Sequence, residues 1–174
     1  MIGAILYSLF LFQAAAPVFS AAQGESGVRL RLGDAWSPMQ PAPFSNVKAR
    51  GVEKFIYTGG YTNLDMDTSF DGPRAALRIS DRKPVFMVSQ PVSENNAPVL
   101  VRLERKKDRR VCRTRLSFVS IGNKQGFRRQ DIVSAVLTEN PDKTFTVQPE
   151  RPLKPGEYLF VIDSPVSGYD FGVD

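Results

Sequence analysis

Leu153-Lys154-Pro155-Gly156-Glu157-Tyr158 runs directly into Leu159-Phe160-Val161-Ile162, and this stretch restricts the fold more than any other. Pro155 fixes φ for a bend, and Gly156 supplies the positive φ that a tight turn often needs. Tyr158 then opens a run of β-branched and aromatic residues, the composition of a strand. A Tyr placed this way near the start of a late strand reads as a tyrosine corner, its hydroxyl folding back onto backbone just upstream. The plainer alternative is an ordinary turn before a strand, which leaves Tyr158 as a half-buried aromatic.

The rest of the chain punctuates short apolar runs with turns. Val28, Leu30 and Leu32 alternate with Arg29 and Arg31, giving a short edge-type strand. Ser37 to Pro43 holds too much Pro for sheet interior or helix and reads as an extended connector, pinned by Trp36 and Phe44. Lys54 to Thr58 is a short strand ended by Gly59-Gly60, and Tyr61 to Phe70 is irregular and polar. Strands follow at Ala75–Ile79 and Val85–Val88. Val99 to Lys106 alternates with a period of two, a long strand that Lys107-Asp108-Arg109 turns into a hairpin with Val111–Phe118. Asp131 to Thr138 also fits one helical face, but its β-branched content and the Asn140–Lys143 turn favour a strand paired with Thr144–Gln148. Tyr158–Ile162 and Tyr169–Val173 form the last hairpin. Eight or nine short strands with turns between them predict an all-β fold, an immunoglobulin-like β-sandwich in which the corner precedes the last two strands.

Residues 1–22 read as a secretory signal. Ile2 to Phe12 is nearly all apolar, and Ser20 and Ala22 place small residues for cleavage before Gln23. The segment carries no Lys or Arg ahead of the apolar run, so an uncleaved N-terminal anchor is the alternative. The expected organisation is therefore a signal over 1–22, an extended Pro-containing segment over 23–50, and the sandwich domain over 51–174. The expected destination is the periplasm or the extracellular space. There is no His, and Cys112 is the one cysteine. These two facts exclude imidazole chemistry, an internal disulfide and a multi-cysteine zinc site. Cys112 lies among strand residues and reads as a small buried hydrophobe, with an intermolecular bridge as the alternative.

The ending Pro155-Gly156-Glu157-Tyr158 … Tyr169-Asp170-Phe171-Gly172-Val173-Asp174 resembles uncharacterised secreted bacterial proteins with an immunoglobulin-like β-sandwich. The resemblance covers about the last third of the chain plus the hairpin at Lys106–Arg110. It implies an exported envelope or extracellular β-domain and brings no catalytic residues with it.

Charge is concentrated. Between Val101 and Gln130 stand eleven cations: Arg102, Arg105, Lys106, Lys107, Arg109, Arg110, Arg113, Arg115, Lys124, Arg128 and Arg129. Only Glu104 and Asp108 oppose them, a net of +9 in a chain of +5. The first eight form the candidate anion-binding band. Arg102, Arg105, Arg113 and Arg115 are expected on one self-repelling hairpin face. On that reading, reversing Arg113 and Arg115 to Glu leaves the melting temperature nearly unchanged. Such a face attracts anions, and for an exported protein these are lipid headgroups, acidic glycans or an envelope protein. Nucleic acid fits poorly, because the band lacks interleaved aromatics. The competing reading is a solvated face that discourages edge-to-edge association.

Asn63, Asp65, Asp67 and Asp71 offer hard oxygens at alternate positions, but the EF-hand pattern fails at Phe70 and Ala76. A polar loop is the better reading, and no metal or other cofactor is expected. No Ser-His-Asp or Cys-His arrangement can be built without His, and no motif points to a Ser-Lys or carboxylate pair. The expectation is an exported, non-enzymatic module that works by binding or assembly in the cell envelope. The alternative is a carboxylate-dependent hydrolase or transferase on the same scaffold.

Overall fold

The computed structural model describes residues 27–59, 64–93, 96–117, 124–162 and 168–174. The expected signal segment lies outside the described residues. In chain order the elements are β1 (Val28–Leu32), β2 (Ala35–Pro38), β3 (Phe44–Arg50), helix α1 (Val52–Tyr57), β4 (Leu64–Asp71), β5 (Arg78–Ile79), β6 (Phe86–Val88) and β7 (Val99–Arg102). They continue with β8 (Glu104–Arg105), β9 (Arg109–Ser117), β10 (Lys124–Phe127), β11 (Ile132–Val133), β12 (Ala135–Glu139), β13 (Phe145–Pro149), β14 (Gly156–Val161) and β15 (Gly168–Val173). The fold is all-β, as the turn spacing predicts.

The strands form three sheets. The first has the order β12-β13-β6-β1-β2 and the second β11-β7-β14-β15-β5. The third, the outer sheet, has the order β10-β9-β4-β3, with β8 pairing on β9. All pairs are antiparallel except β15 with β5. The period of two explains the stacking. Along β14, Tyr158, Phe160 and the following Ile162 join the core shared with the first sheet. Leu159 and Val161 point the other way, into a second core with Phe70 and Cys112 of the outer sheet. The second sheet is thus the middle of three layers, and β14 is buried on both faces. In the first core the Phe86 and Phe160 rings stack at 4.4 Å, and Tyr158 lies over Phe171 at 5.6 Å. Burying each such ring contributes about 1.5–3 kcal/mol.

Two expected long strands are broken where the chain changes sheets. Val99–Arg102 pairs with β14, but after Leu103 the chain turns outward and Glu104–Arg105 pairs with β9. Likewise Ile132–Val133 pairs with β7 and Ala135–Glu139 with β13, with Ser134 at the crossing. The hairpin at Lys107-Asp108 forms as expected, the Lys106 N–H donating to the Arg109 carbonyl at 2.8 Å. The Asn140–Lys143 turn also forms, with Lys143 at φ 67°.

Other expectations are corrected. Strand β1, read as an edge strand, pairs with both β2 and β6 and is interior to a sheet, and β3 pairs with β4. The Pro connector is held by Met39 and Ala42, both buried, whereas Trp36 and Phe44 are exposed. Residues 64–70, read as irregular, are the inner strand β4. Residues 54–57, read as a strand, lie in helix α1. Gly51 at φ 77° turns the chain out of β3, and local bonds from Phe55 N–H to the Gly51 carbonyl and from Thr58 N–H to the Lys54 carbonyl close the turn. The Ala75–Ile79 strand shrinks to Arg78–Ile79.

Candidate functional site

The corner geometry comes first because it holds β14 in place. Tyr158 is 2 % exposed, and its hydroxyl donates to the Lys154 carbonyl at 2.6 Å. Burial pushes the phenol pKa up. Gly156 has the expected positive φ, at 159°, a conformation that L side chains rarely adopt, though it is far from the left-handed helical region. Its missing side chain makes room, since a Cβ would stand 3.3 Å from Arg102 Nη2. That guanidinium donates to the Pro155 carbonyl at 3.3 Å.

The basic band does not form one self-repelling face. Arg102 belongs to the middle sheet, while Arg105, Arg113 and Arg115 belong to the outer one. On the outer sheet the acidic strand β4 lies between two basic strands. The register places Arg50 opposite Asp65 and Asp65 opposite Arg115, and two residues along places Lys48 opposite Asp67 and Asp67 opposite Arg113. Arg115 Nε lies 2.9 Å from Asp65 Oδ1, Arg50 Nε 3.0 Å from Asp67 Oδ2, and Arg113 Nε 3.4 Å from Asp67 Oδ1. Arg113 Nη2 also reaches Glu104 at 2.6 Å. The Lys106 ammonium and the Arg113 charge hold the Glu104 carboxyl below the usual carboxylate range. Asp65 and Asp67, read from sequence as a polar loop, thus serve as partners for arginine.

Arg110 leaves the band altogether. It is buried, its Nη1 donates to the carbonyls of Asp71, Gly72 and Arg74 at 2.7–2.8 Å, and its Nη2 pairs with Asp170 of β15. It ties the outer sheet to the middle one and is a structural residue. Arg109 contacts Asp108, and Lys106 pairs with Glu104. Arg105 and Lys107 are exposed near the hairpin tip.

What the fold does bring together is a cleft of about 780 Å³ on the charged face of the outer sheet. Five guanidiniums line it, from Arg50, Arg113, Arg115, Arg128 and Arg129, against the carboxylates of Asp65 and Asp67; Phe127 and Gln130 complete the wall. An adjoining recess of about 320 Å³ shares Arg113, Arg128 and Gln130 and adds Arg102, Glu104 and Asp131, with Arg128 Nε 3.6 Å from Asp131 Oδ2. Of the eight expected anion-binding residues, Arg113 and Arg115 line the cleft and Arg102 the recess. Arg50, Arg128 and Arg129 lie outside the expected set. A signal for Arg50 exists in the sequence: Lys48-x-Arg50, Asp65-x-Asp67 and Arg113-x-Arg115 share the period of a strand face and alternate in sign.

Among the described residues no group of three or more carboxylate or thiol ligands is placed to hold a metal. Cys112 is fully buried in the second core, as its small-hydrophobe reading expects, and burial pushes its thiol pKa up to about 12. Among the described residues no helix is long and apolar enough to cross a membrane. Fold and site together define an all-β sandwich carrying an outer sheet with an arginine-lined cleft. No family model matches the chain, and neither a curated protein nor a solved structure gives a match.

Proposed function

We propose that this is an exported, non-enzymatic binding module of immunoglobulin-like type that takes anionic groups in the arginine cleft of its outer sheet. The observation that carries the reading is one open cleft lined by five guanidiniums and two carboxylates, with Arg113 and Arg128 also paired just outside it to Glu104 and Asp131. Arg50 and Arg115 keep more than half of their side-chain surface exposed, so their remaining donors can reach a ligand. Guanidinium is suited to carboxylate, sulfate and phosphate through paired N–H donors.

The strand order supports the immunoglobulin-like assignment. Taking β1, β6, β7, β12, β13, β14 and β15 as the seven sandwich strands, the first sheet carries the fourth, fifth, second and first in that order, and the middle sheet the third, sixth and seventh. This is the arrangement of such sandwiches, and Tyr158 opens the sixth strand, where their corner tyrosine stands. The outer sheet is then an elaboration built from β3–β4 and β8–β10. Asp65 and Asp67 engage guanidiniums, which weighs against a free carboxylate pair and hence against the hydrolase alternative.

Binding to dextran sulfate at rising salt tests this reading. Affinity should fall steeply with salt, since exposed charges are screened within about 8–10 Å at physiological ionic strength. Arg129→Glu should weaken binding while leaving the melting temperature unchanged. Absence of affinity for both dextran sulfate and inorganic phosphate at low salt would remove the cleft from consideration.

A further inference from the structure

We infer that the anion met by the outer sheet is the headgroup layer of an anionic phospholipid bilayer, and that helix α1 is the part that enters it. The inference rests on the anion-binding reading and names the surface. Helix α1 has no buried residue. Its Tyr57 and Ile56 are 92 % and 70 % exposed, more than any other large apolar side chain among the described residues, and Val52 is 42 % exposed. Three such side chains on six residues serve no core. The register fixes where they stand. Arg50 ends β3 one residue before the Gly51 cap of the helix, and the row Arg50–Asp65–Arg115 crosses the sheet there. The exposed apolar helix thus follows directly on Arg50, which lines the arginine-rich cleft.

That juxtaposition matches the physical chemistry of a bilayer interface. Aromatic and aliphatic side chains enter the boundary between headgroups and acyl chains, while adjacent cations meet the lipid phosphates. Neither feature suffices alone, because weak interfacial binding becomes stable when apolar burial and charge act together. An acidic polysaccharide offers the charge without a hydrocarbon phase for Ile56 and Val52, so the apolar tip favours lipid.

The experiment uses the full chain with vesicles of phosphatidylcholine, with and without phosphatidylglycerol. A Tyr57→Trp probe in a Trp36→Phe background should shift its emission to the blue only with phosphatidylglycerol vesicles, and lose the shift at high salt. This readout is local to the tip, so an apolar N-terminal segment that partitions by itself does not produce it. Ile56→Ser with Tyr57→Ser should weaken phosphatidylglycerol-dependent binding by about tenfold or more, as expected for one or two apolar side chains withdrawn from an interface. The same pair should leave dextran sulfate binding intact. A probe that stays solvent-exposed on every vesicle while dextran sulfate still binds overturns the lipid assignment and leaves the cleft with a soluble polyanion. Failure of vesicles, dextran sulfate and phosphate alike overturns the anion-binding reading itself.

Discussion

Gly172 lies directly beneath the guanidinium of Arg78: a Cβ built on Gly172 would fall 1.6 Å from Arg78 Nη1. That Nη1 donates to Glu157 at 2.6 Å, and Nη2 pairs with Asp174. Glu157 is 3 % exposed and its other oxygen accepts the Ala75 N–H at 2.8 Å. The absence of a side chain at 172 is therefore what lets a cation reach a buried carboxylate.

Gly172→Ala should expel Arg78 and leave Glu157 buried beside one backbone donor. Uncoupling a buried pair costs about 3–5 kcal/mol, and the quarter of the Arg78 side chain that stays exposed points to the low end. Urea unfolding reads the change. A midpoint equal to that of the parent chain would show that the guanidinium finds another route to Glu157.

The corner makes a separate prediction. Tyr158→Phe removes the donor to the carbonyl of the exposed Lys154 and almost no volume, so a part-buried hydrogen bond is lost. The expected loss is about 0.5–1.5 kcal/mol in the same unfolding experiment. Unchanged stability would mean that water replaces the hydroxyl.

Cys112 predicts an alkaline slope. Its thiol keeps its proton in the folded chain until about pH 12, whereas an exposed thiol loses it near 9. Between these values the folded state binds more protons than the unfolded state, so stability falls as pH rises from about 9 to about 12. Tyr158, also shifted upward by burial, acts in the same direction. Cys112→Ala should flatten part of the slope at a lower overall stability, and a thiol reagent at pH 8 should label the wild-type protein only after denaturant is added.

The elements read correctly from sequence are those that bury apolar side chains with a clean period. Tyr158, Leu159, Phe160 and Val161 alternate between two cores, and Asn140–Lys143 and Lys107-Asp108 are turns by residue type. Strands β3 and β4 escaped because their wet face is held by charge. Lys48, Arg50, Asp65 and Asp67 are poor strand formers taken singly, and their pairing appears only when β9 lies alongside. Residues 54–57 of helix α1 read as a strand because Phe55, Ile56 and Tyr57 carry strand propensity. The fold offers them no neighbouring strand, and local hydrogen bonds prevail. The cleft was legible only in part for the same reason: its arginine lining is set by which strand lies next to which.

The outer sheet reverses one expectation about charge. Were Arg113 and Arg115 on a self-repelling face, changing both to Glu would leave stability nearly untouched. In the structure they oppose Asp67 and Asp65, and Asp67 is largely buried, with 12 % of its side chain exposed. Arg113→Glu with Arg115→Glu places like charges directly across two rungs of the ladder, each costing about 0.2–1 kcal/mol, and removes one of the two cation partners of Asp67, leaving Arg50. The double reversal should lower the melting temperature. Arg115→Gln alone, at a pair half exposed on both sides, should change it little, since an exposed pair contributes about 0–1 kcal/mol. Restoring opposite signs by adding Asp65→Lys and Asp67→Lys to the double reversal should recover part of the loss. Recovery would show that β4 and β9 recognise each other through this alternation. A double reversal that melts with the wild type would show that the apolar contacts of Phe70 and Cys112 hold the two strands together without it.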